Sequence, residues 1–218
     1  MDFNPGMTAA LNSLNVSYTV VGPQNFATTS FTGYNVIWLD GFSDYSPGTP
    51  GNPGFSSANL VSFMNAGGVV FVQNPGFGTE SLSSYPFGSE LGDQYMPTGL
   101  DTIRITNPSS PVNANLTSAS LSNWGPSAYG TLSINSSFSG VTDTGTDGDW
   151  VTVVLPVGSG ELVYTEQGIS ERLNSNPGDP GAVQFLGNVI GLATPEPSSL
   201  ALMAAAGVVL VVSRKIRR

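Results

Sequence analysis

Three stretches hold side chains whose types and spacing could do chemistry. Asp143-Thr144-Gly145-Thr146-Asp147-Gly148-Asp149 sets three carboxylates within seven residues, beside glycines. Oxygen-rich, flexible loops of that kind suit Ca²⁺, so Asp143, Asp147 and Asp149 form a candidate metal group. The loop has neither the EF-hand period nor its closing Glu, and it reads equally as a solvated turn ahead of a strand at Trp150. Asp40 and Asp44 flank Phe42 and Tyr45. Aromatic faces against sugar rings, with carboxylates accepting hydroxyls, would make a carbohydrate cleft; a polar loop with Phe42 packed onto a sheet is the other reading. Glu166 and Glu171, followed by Arg172, could supply paired carboxylates for acid–base hydrolysis. An ion-paired surface loop accounts for them as well.

Composition removes more enzyme classes than these stretches add. The 218 residues contain neither Cys nor His. That excludes disulfides, thiolate metal sites and a cysteine nucleophile, and it removes the usual general base. No cofactor is expected. Charged residues make up 10% of the chain, against a usual ~25%, while Gly numbers 27 and Pro 16. Four of the six basic residues lie after Ser213, and one of the fifteen acids is Glu196, so the body carries 14 acids against Arg104 and Arg172. With no basic patch to neutralise phosphates, nucleic acid is excluded as a partner.

The elements that must position these residues follow from apolar periodicity. Met7, Ala10, Leu11 and Leu14 are spaced as one face of a helix over Gly6–Leu14. Ser17–Val21 reads as a strand, and Tyr34–Leu39 as a near-continuous apolar one. Ser56 can cap a helix running to Asn65 that presents Leu60, Val61, Phe63 and Met64. Gly67-Gly68 ends it, and Val69–Val72 is another buried strand. Asp101–Thr106 alternates like a strand, and Asn115–Leu121 reads as a short helix. Trp150–Leu155 and Gly160–Thr165 form a hairpin through Pro156–Ser159. Ala182–Leu192 closes the body as a helix.

Continuous apolar strands alternating with helices predict an α/β domain, mostly parallel, with helices on both faces. Sites in such sheets lie past the carboxyl ends of strands, here Asp40-Gly41-Phe42 and Gln73-Asn74-Pro75-Gly76.

The tail has three parts: Pro195-Glu196-Pro197-Ser198-Ser199, an apolar run over Leu200–Val212, and the cations Arg214, Lys215, Arg217 and Arg218. A core helix is usually apolar on one face, whereas this run is apolar all round. A membrane span needs about 20 residues, so Leu200, Leu202, Val208, Leu210 and Val212 make a short anchor, about 198–213, that a basic cytoplasmic end would extend. The three-part order resembles the PEP-CTERM sorting signal, a tail also labelled ice-binding protein C-terminal domain. The resemblance implies recognition of Pro195, Glu196 and Pro197 by an exosortase and cleavage near them. Inner-membrane transit and release or attachment at the cell surface would follow, with exopolysaccharide as a further partner. Met1–Gly6 has neither a basic nor an apolar leader region, so the natural start is expected upstream.

The body resembles, over roughly residues 5–192, the class I glutamine-amidotransferase-like domain, in the branch near trehalose-utilisation proteins. The pieces that carry this are YNVIWL, GGVVFV, ITNPSSPV, NWGPSAYG and GSGELVYT in that order. Such a sheet usually begins with a strand before the first helix. The family's reactive residue follows the strand after the Gly-Gly turn, where this chain has Gln73-Asn74; a frequent His-Pro pair is replaced by Ser110-Pro111. The combined expectation is a flavodoxin- or amidotransferase-like domain over 1–193 without catalytic residues, followed by the sorting signal over 194–218. Its function would be that of a non-catalytic exported surface or matrix protein, with a divergent hydrolase or a carbohydrate-binding module as the alternatives.

Overall fold

The computed structural model describes residues 5–40, 57–73, 85–135, 137–146 and 148–193. Phe42, Asp44, Tyr45, Asn74, Asp147 and the whole of 194–218 therefore lie outside the described residues.

Helix α1, Pro5–Ser13, starts on a proline, whose fixed φ suits a first helical turn. It buries Met7, Ala10 and Leu11, as the spacing predicts. A Cβ on Gly6 would run into the Leu173 carbonyl, so the glycine is what lets α1 lie against α4, Ile169–Ser175. A short α2, Pro23–Phe26, precedes β1, Val36–Asp40. Then come α3, Ser57–Asn65, and β2, Val69–Gln73, every residue of which is buried. The second half holds β3 (Leu91–Leu100), β4 (Arg104–Ile105), β5 (Ala128–Ile134), β6 (Ser139–Asp143), β7 (Trp150–Val157) and β8 (Gly160–Thr165). Helix α5, Pro180–Gly191, closes the body and begins two residues before the expected Ala182. Asp179 caps it, its Oδ1 accepting from Ala182 N at 3.0 Å, and Pro180 takes the first position.

One sheet of eight strands runs β1-β2-β8-β7-β5-β3, with β6 joined to β7 and β4 to β6. Helices cover both faces, as expected. Helices α1, α4 and α5 cover Val69, Phe71, Val151 and Val163; α3 covers Ile37, Leu39, Val70, Val72, Leu162 and Tyr164. The expectation of a mostly parallel sheet is corrected: among the described residues only β1–β2 and β2–β8 are parallel, and the pairs β7–β8, β5–β7, β6–β7, β3–β5 and β4–β6 are antiparallel. The reason is local. Strand β7 continues to Val157, which pairs with Gly160, leaving a two-residue turn at Gly158-Ser159. Gly158 has φ of 61°, the left-handed region that such a turn requires, and a two-residue turn can only reverse the chain.

Ser17–Val21, expected as a strand, is irregular, with Tyr18 39% and Val20 51% exposed. β-Branched composition alone does not make a strand; pairing does, and no described residue pairs with this segment. The helix expected over Asn115–Leu121 is a single 3₁₀ turn, Ser118–Leu121. Thr117 and Ser120 cap each other there, each side chain bonding the other's backbone N–H at 3.1 and 3.0 Å. No described helix is long and apolar enough to cross a membrane.

Candidate functional site

Apolar alternation stops at the carboxyl end of the parallel strands. Asp40, the last residue of β1, is the cross-strand partner of Gln73, the last of β2. Gln73 is partnered with Thr165 on β8, Thr165 with Thr152 on β7, and Thr152 with Thr142 on β6. Cross-strand partners share a face, so a polar row crosses the sheet at one level. On β1, β2 and β8 it lies on the face covered by α1, α4 and α5, because Gln73 and Thr165 alternate with Val72 and Tyr164. Gln73, Thr165, Thr152 and Thr142 are all fully buried, and the two hydroxyls of Thr152 and Thr165 share a hydrogen bond of 2.9 Å.

Helix α4 begins against this row. Gln73 Nε2 donates to Ser170 Oγ at 2.7 Å and lies 3.5 Å from Glu171 Oε2. Ser170 Oγ donates in turn to Glu171 Oε1 at 2.9 Å. Gly168 makes room for this arrangement: a Cβ there would sit 3.0 Å from Tyr129 Cε2 and 3.1 Å from Glu171 Oε2. Glu166, at the end of β8, is fully buried; its N–H donates to Val151 O and its carbonyl accepts from Tyr129 N, both at 2.9 Å. Gln167 follows, donating from Nε2 to Leu121 O at 3.0 Å.

The chemistry open to this cluster is narrow. A serine nucleophile needs an accessible oxygen and a base that can take its proton. Ser170 is 3% exposed, and its hydroxyl already accepts from Gln73 while donating to Glu171. The cluster ties the start of α4 to the end of β2.

Of the residues that the sequence singles out, Gln73, Asp40, Glu166 and Glu171 meet at this edge of the sheet. The surface-loop reading is corrected for Glu166, which is buried; Glu171 lies in the first turn of α4, and Arg172 turns to Asp179, with Nη2 2.6 Å and Nε 2.8 Å from Oδ2. The Arg172 guanidinium also lies over the Trp124 ring, 5.9 Å from its centre. Ser170, Gly168 and Tyr129 were missed; the Gly-Ile-Ser-Glu run directly after a strand was the sign that could have found them.

The acidic loop is arranged differently. Asp143 ends β6 and is 1% exposed. Arg104 Nε and Nη2 meet its Oδ1 and Oδ2 at 2.9 and 2.6 Å, and Gly145 N–H donates to Oδ1 at 2.8 Å. Asp149 closes the turn through its backbone, its N–H donating to Thr146 O at 3.2 Å. Among the described residues no three acidic side chains converge on a point that could hold a metal ion.

Helix α5 ends at Gly191, and the chain then changes character. Residues 193–218 match the PEP-CTERM protein-sorting motif. The PEP-CTERM tail therefore starts two residues after the last helix of the body, and Pro195, Glu196 and Pro197 lie inside the matched span. The motif implies exosortase recognition and transit through the membrane toward the cell surface or the extracellular space. No curated protein matches the sequence.

By structure, the body is similar to two cytoplasmic proteins from Salmonella typhimurium. One is 11% identical with a TM-score of 0.59, covering 88% of this chain and 87% of that one; the other is 10% identical with 0.60, covering 89% of each. It is also similar to a GMP synthase subunit from Thermoplasma acidophilum, 9% identical with a TM-score of 0.56 over 88% of each chain. At such identities the likeness concerns the fold alone.

Proposed function

We propose that this is a non-catalytic protein delivered to the cell surface by its PEP-CTERM tail. An exosortase would read Pro195, Glu196 and Pro197 while Leu200–Val212 parks the chain in the inner membrane and Arg214, Lys215, Arg217 and Arg218 hold its cytoplasmic end. The exopolysaccharide layer is the surrounding into which the body would be released.

The observation supporting a non-catalytic body is the engagement of Gln73 and Ser170. Gln73-Asn74 stands where the amidotransferase-like resemblance would put a reactive residue, and the Gln73 amide nitrogen donates to Ser170 and lies 3.5 Å from Glu171, while its buried Oε1 has no hydrogen-bond partner among the described residues. With no Cys or His anywhere in the chain, neither a thiol nor an imidazole can replace it. The test is a substrate panel covering glycosidase, esterase and glutaminase reactions, run on the full chain. Turnover that Asp40→Asn or Glu171→Gln abolishes would favour the hydrolase reading instead. Sorting is tested separately, by fusing Thr194–Arg218 to a reporter: membrane retention and cleavage only when an exosortase is present support the proposal, and an uncut reporter in both strains reduces the tail to an anchor.

A further inference from the structure

At the opposite, amino-terminal edge of the same strands lies a cleft of about 440 Å³, within the ~300–1,000 Å³ usual for small-ligand sites. One wall is the turn before β1, with Phe31, Tyr34 and Asn35; the other is the outer side of α3, with Asn59, Ser62 and Phe63. Asn59, Ser62 and Phe63 line up because residues three and four apart share a helix face. We propose that this cleft binds a neutral carbohydrate chain.

The lining has the two chemistries a sugar ring demands. The C–H face of a pyranose is apolar and stacks on an aromatic ring, and Tyr34 offers one that is 36% exposed beside the half-buried Phe31 and Phe63. Sugar hydroxyls are donors and acceptors at once, and they match side chains that are both: the amide of Asn35 and the hydroxyl of Ser62. Among the described residues no charged side chain lines the cleft, although the body carries 14 acids. An ionic ligand would find no counter-charge among them.

The walls are also set in advance. Phe31 is held between Phe26 at 5.4 Å and Phe63 at 6.0 Å, centre to centre. Tyr34 N–H donates to Phe31 O at 3.2 Å, and Asn35 O accepts from Val69 N at 2.9 Å, which ties the turn to the start of β2. Gly68 has no Cβ to displace the Phe63 ring that lies over it. A preformed cleft avoids part of the ordering cost of binding.

This inference gives the non-catalytic body a ligand, and the two fail separately. Absence of sugar binding leaves sorting and absence of turnover untouched, whereas release of shorter sugars would contradict the non-catalytic reading alone. The experiment is calorimetric titration of the full chain in detergent with cello-, malto- and mannohexaose. At least one hexaose should bind, with affinity indifferent to salt because no ion pair is involved. Tyr34→Ala should weaken it by roughly tenfold or more, the scale of one lost ring contact. Tyr18→Ala, a tyrosine of similar exposure outside the cleft, should leave it unchanged. Melting curves of both variants confirm that they are folded. No binding of any of the three at about 10 mM, or binding that Tyr34→Ala leaves intact, overturns the proposal.

Discussion

Gln73 and Ser170 are 97 positions apart in sequence and 2.7 Å apart in the fold, joined by a buried hydrogen bond from amide to hydroxyl. That bond fixes where α4 begins relative to β2. Gln73→Leu keeps the bulk but removes the donor, while the Ser170 hydroxyl keeps its bond to Glu171. Losing one such hydrogen bond costs about 0.5–1.5 kcal/mol. In a domain of this size each kcal/mol lowers the melting temperature by about 2–4 °C, which differential scanning fluorimetry reads directly. An unchanged melting temperature would show the bond to be incidental.

Arg104 and Asp143 form a pair of unequal burial: 45% exposed for the arginine side chain, 1% for the aspartate. Removing the exposed partner therefore does more harm than its own exposure suggests. Arg104→Ala leaves a carboxylate buried without its guanidinium and should cost about 1–3 kcal/mol in urea unfolding. The double variant Arg104→Ala with Asp143→Ala should cost less than the sum of the two singles, because no buried charge remains.

Asp179 has two tasks: Oδ1 caps α5 at Ala182 N and Oδ2 receives Arg172. Asp179→Ala loses both and should cost about 1–2 kcal/mol for the cap alone. Asp179→Ser restores a capping oxygen but no charge for Arg172. Its stability should fall between that of the native chain and that of Asp179→Ala, and equality with Asp179→Ala would mean that the cap contributes nothing.

Glu161 supplies a pH test. Burial in β8 raises its carboxyl above the ordinary value of 4.5. The folded state then holds the proton more tightly than the unfolded chain, so this residue costs stability as pH climbs from the ordinary value through the raised one. Glu161→Gln should therefore stabilise the domain at pH 7 and lose that advantage near pH 4. Urea midpoints at the two pH values measure it, and a benefit independent of pH would contradict the burial account.

The first half of the body was legible because its elements are continuous and apolar: α1, β1, α3 and β2 all lie within two residues of their expected places. In the antiparallel half the β7–β8 hairpin and α5 were legible too, but β3, β5 and β6 were not. Strand β3, Leu91–Leu100, contains two glycines, an aspartate and a proline, and β5 and β6 are short and rich in Ser, Gly and Thr. Their strand character comes from pairing partners far along the chain, which no local pattern announces. The register also shifts between Tyr95 and Leu100, breaking any alternation. At the polar row, Gln73 and Glu166 were legible as residues at strand ends. That Ser170 would meet Gln73 was not, since it depends on how a seven-residue helix folds back over the sheet.

The tail is the opposite case, since its composition and order alone mark it. Its processing is the central claim, and the mass of the mature protein tests it most directly. The full chain is expressed in an exosortase-containing host, and the surface and culture fractions are measured by intact-mass spectrometry. The prediction is a product whose carboxyl end lies near Pro195-Glu196-Pro197, lost when the exosortase is deleted. A surface product that still ends at Arg218 in both hosts would contradict it.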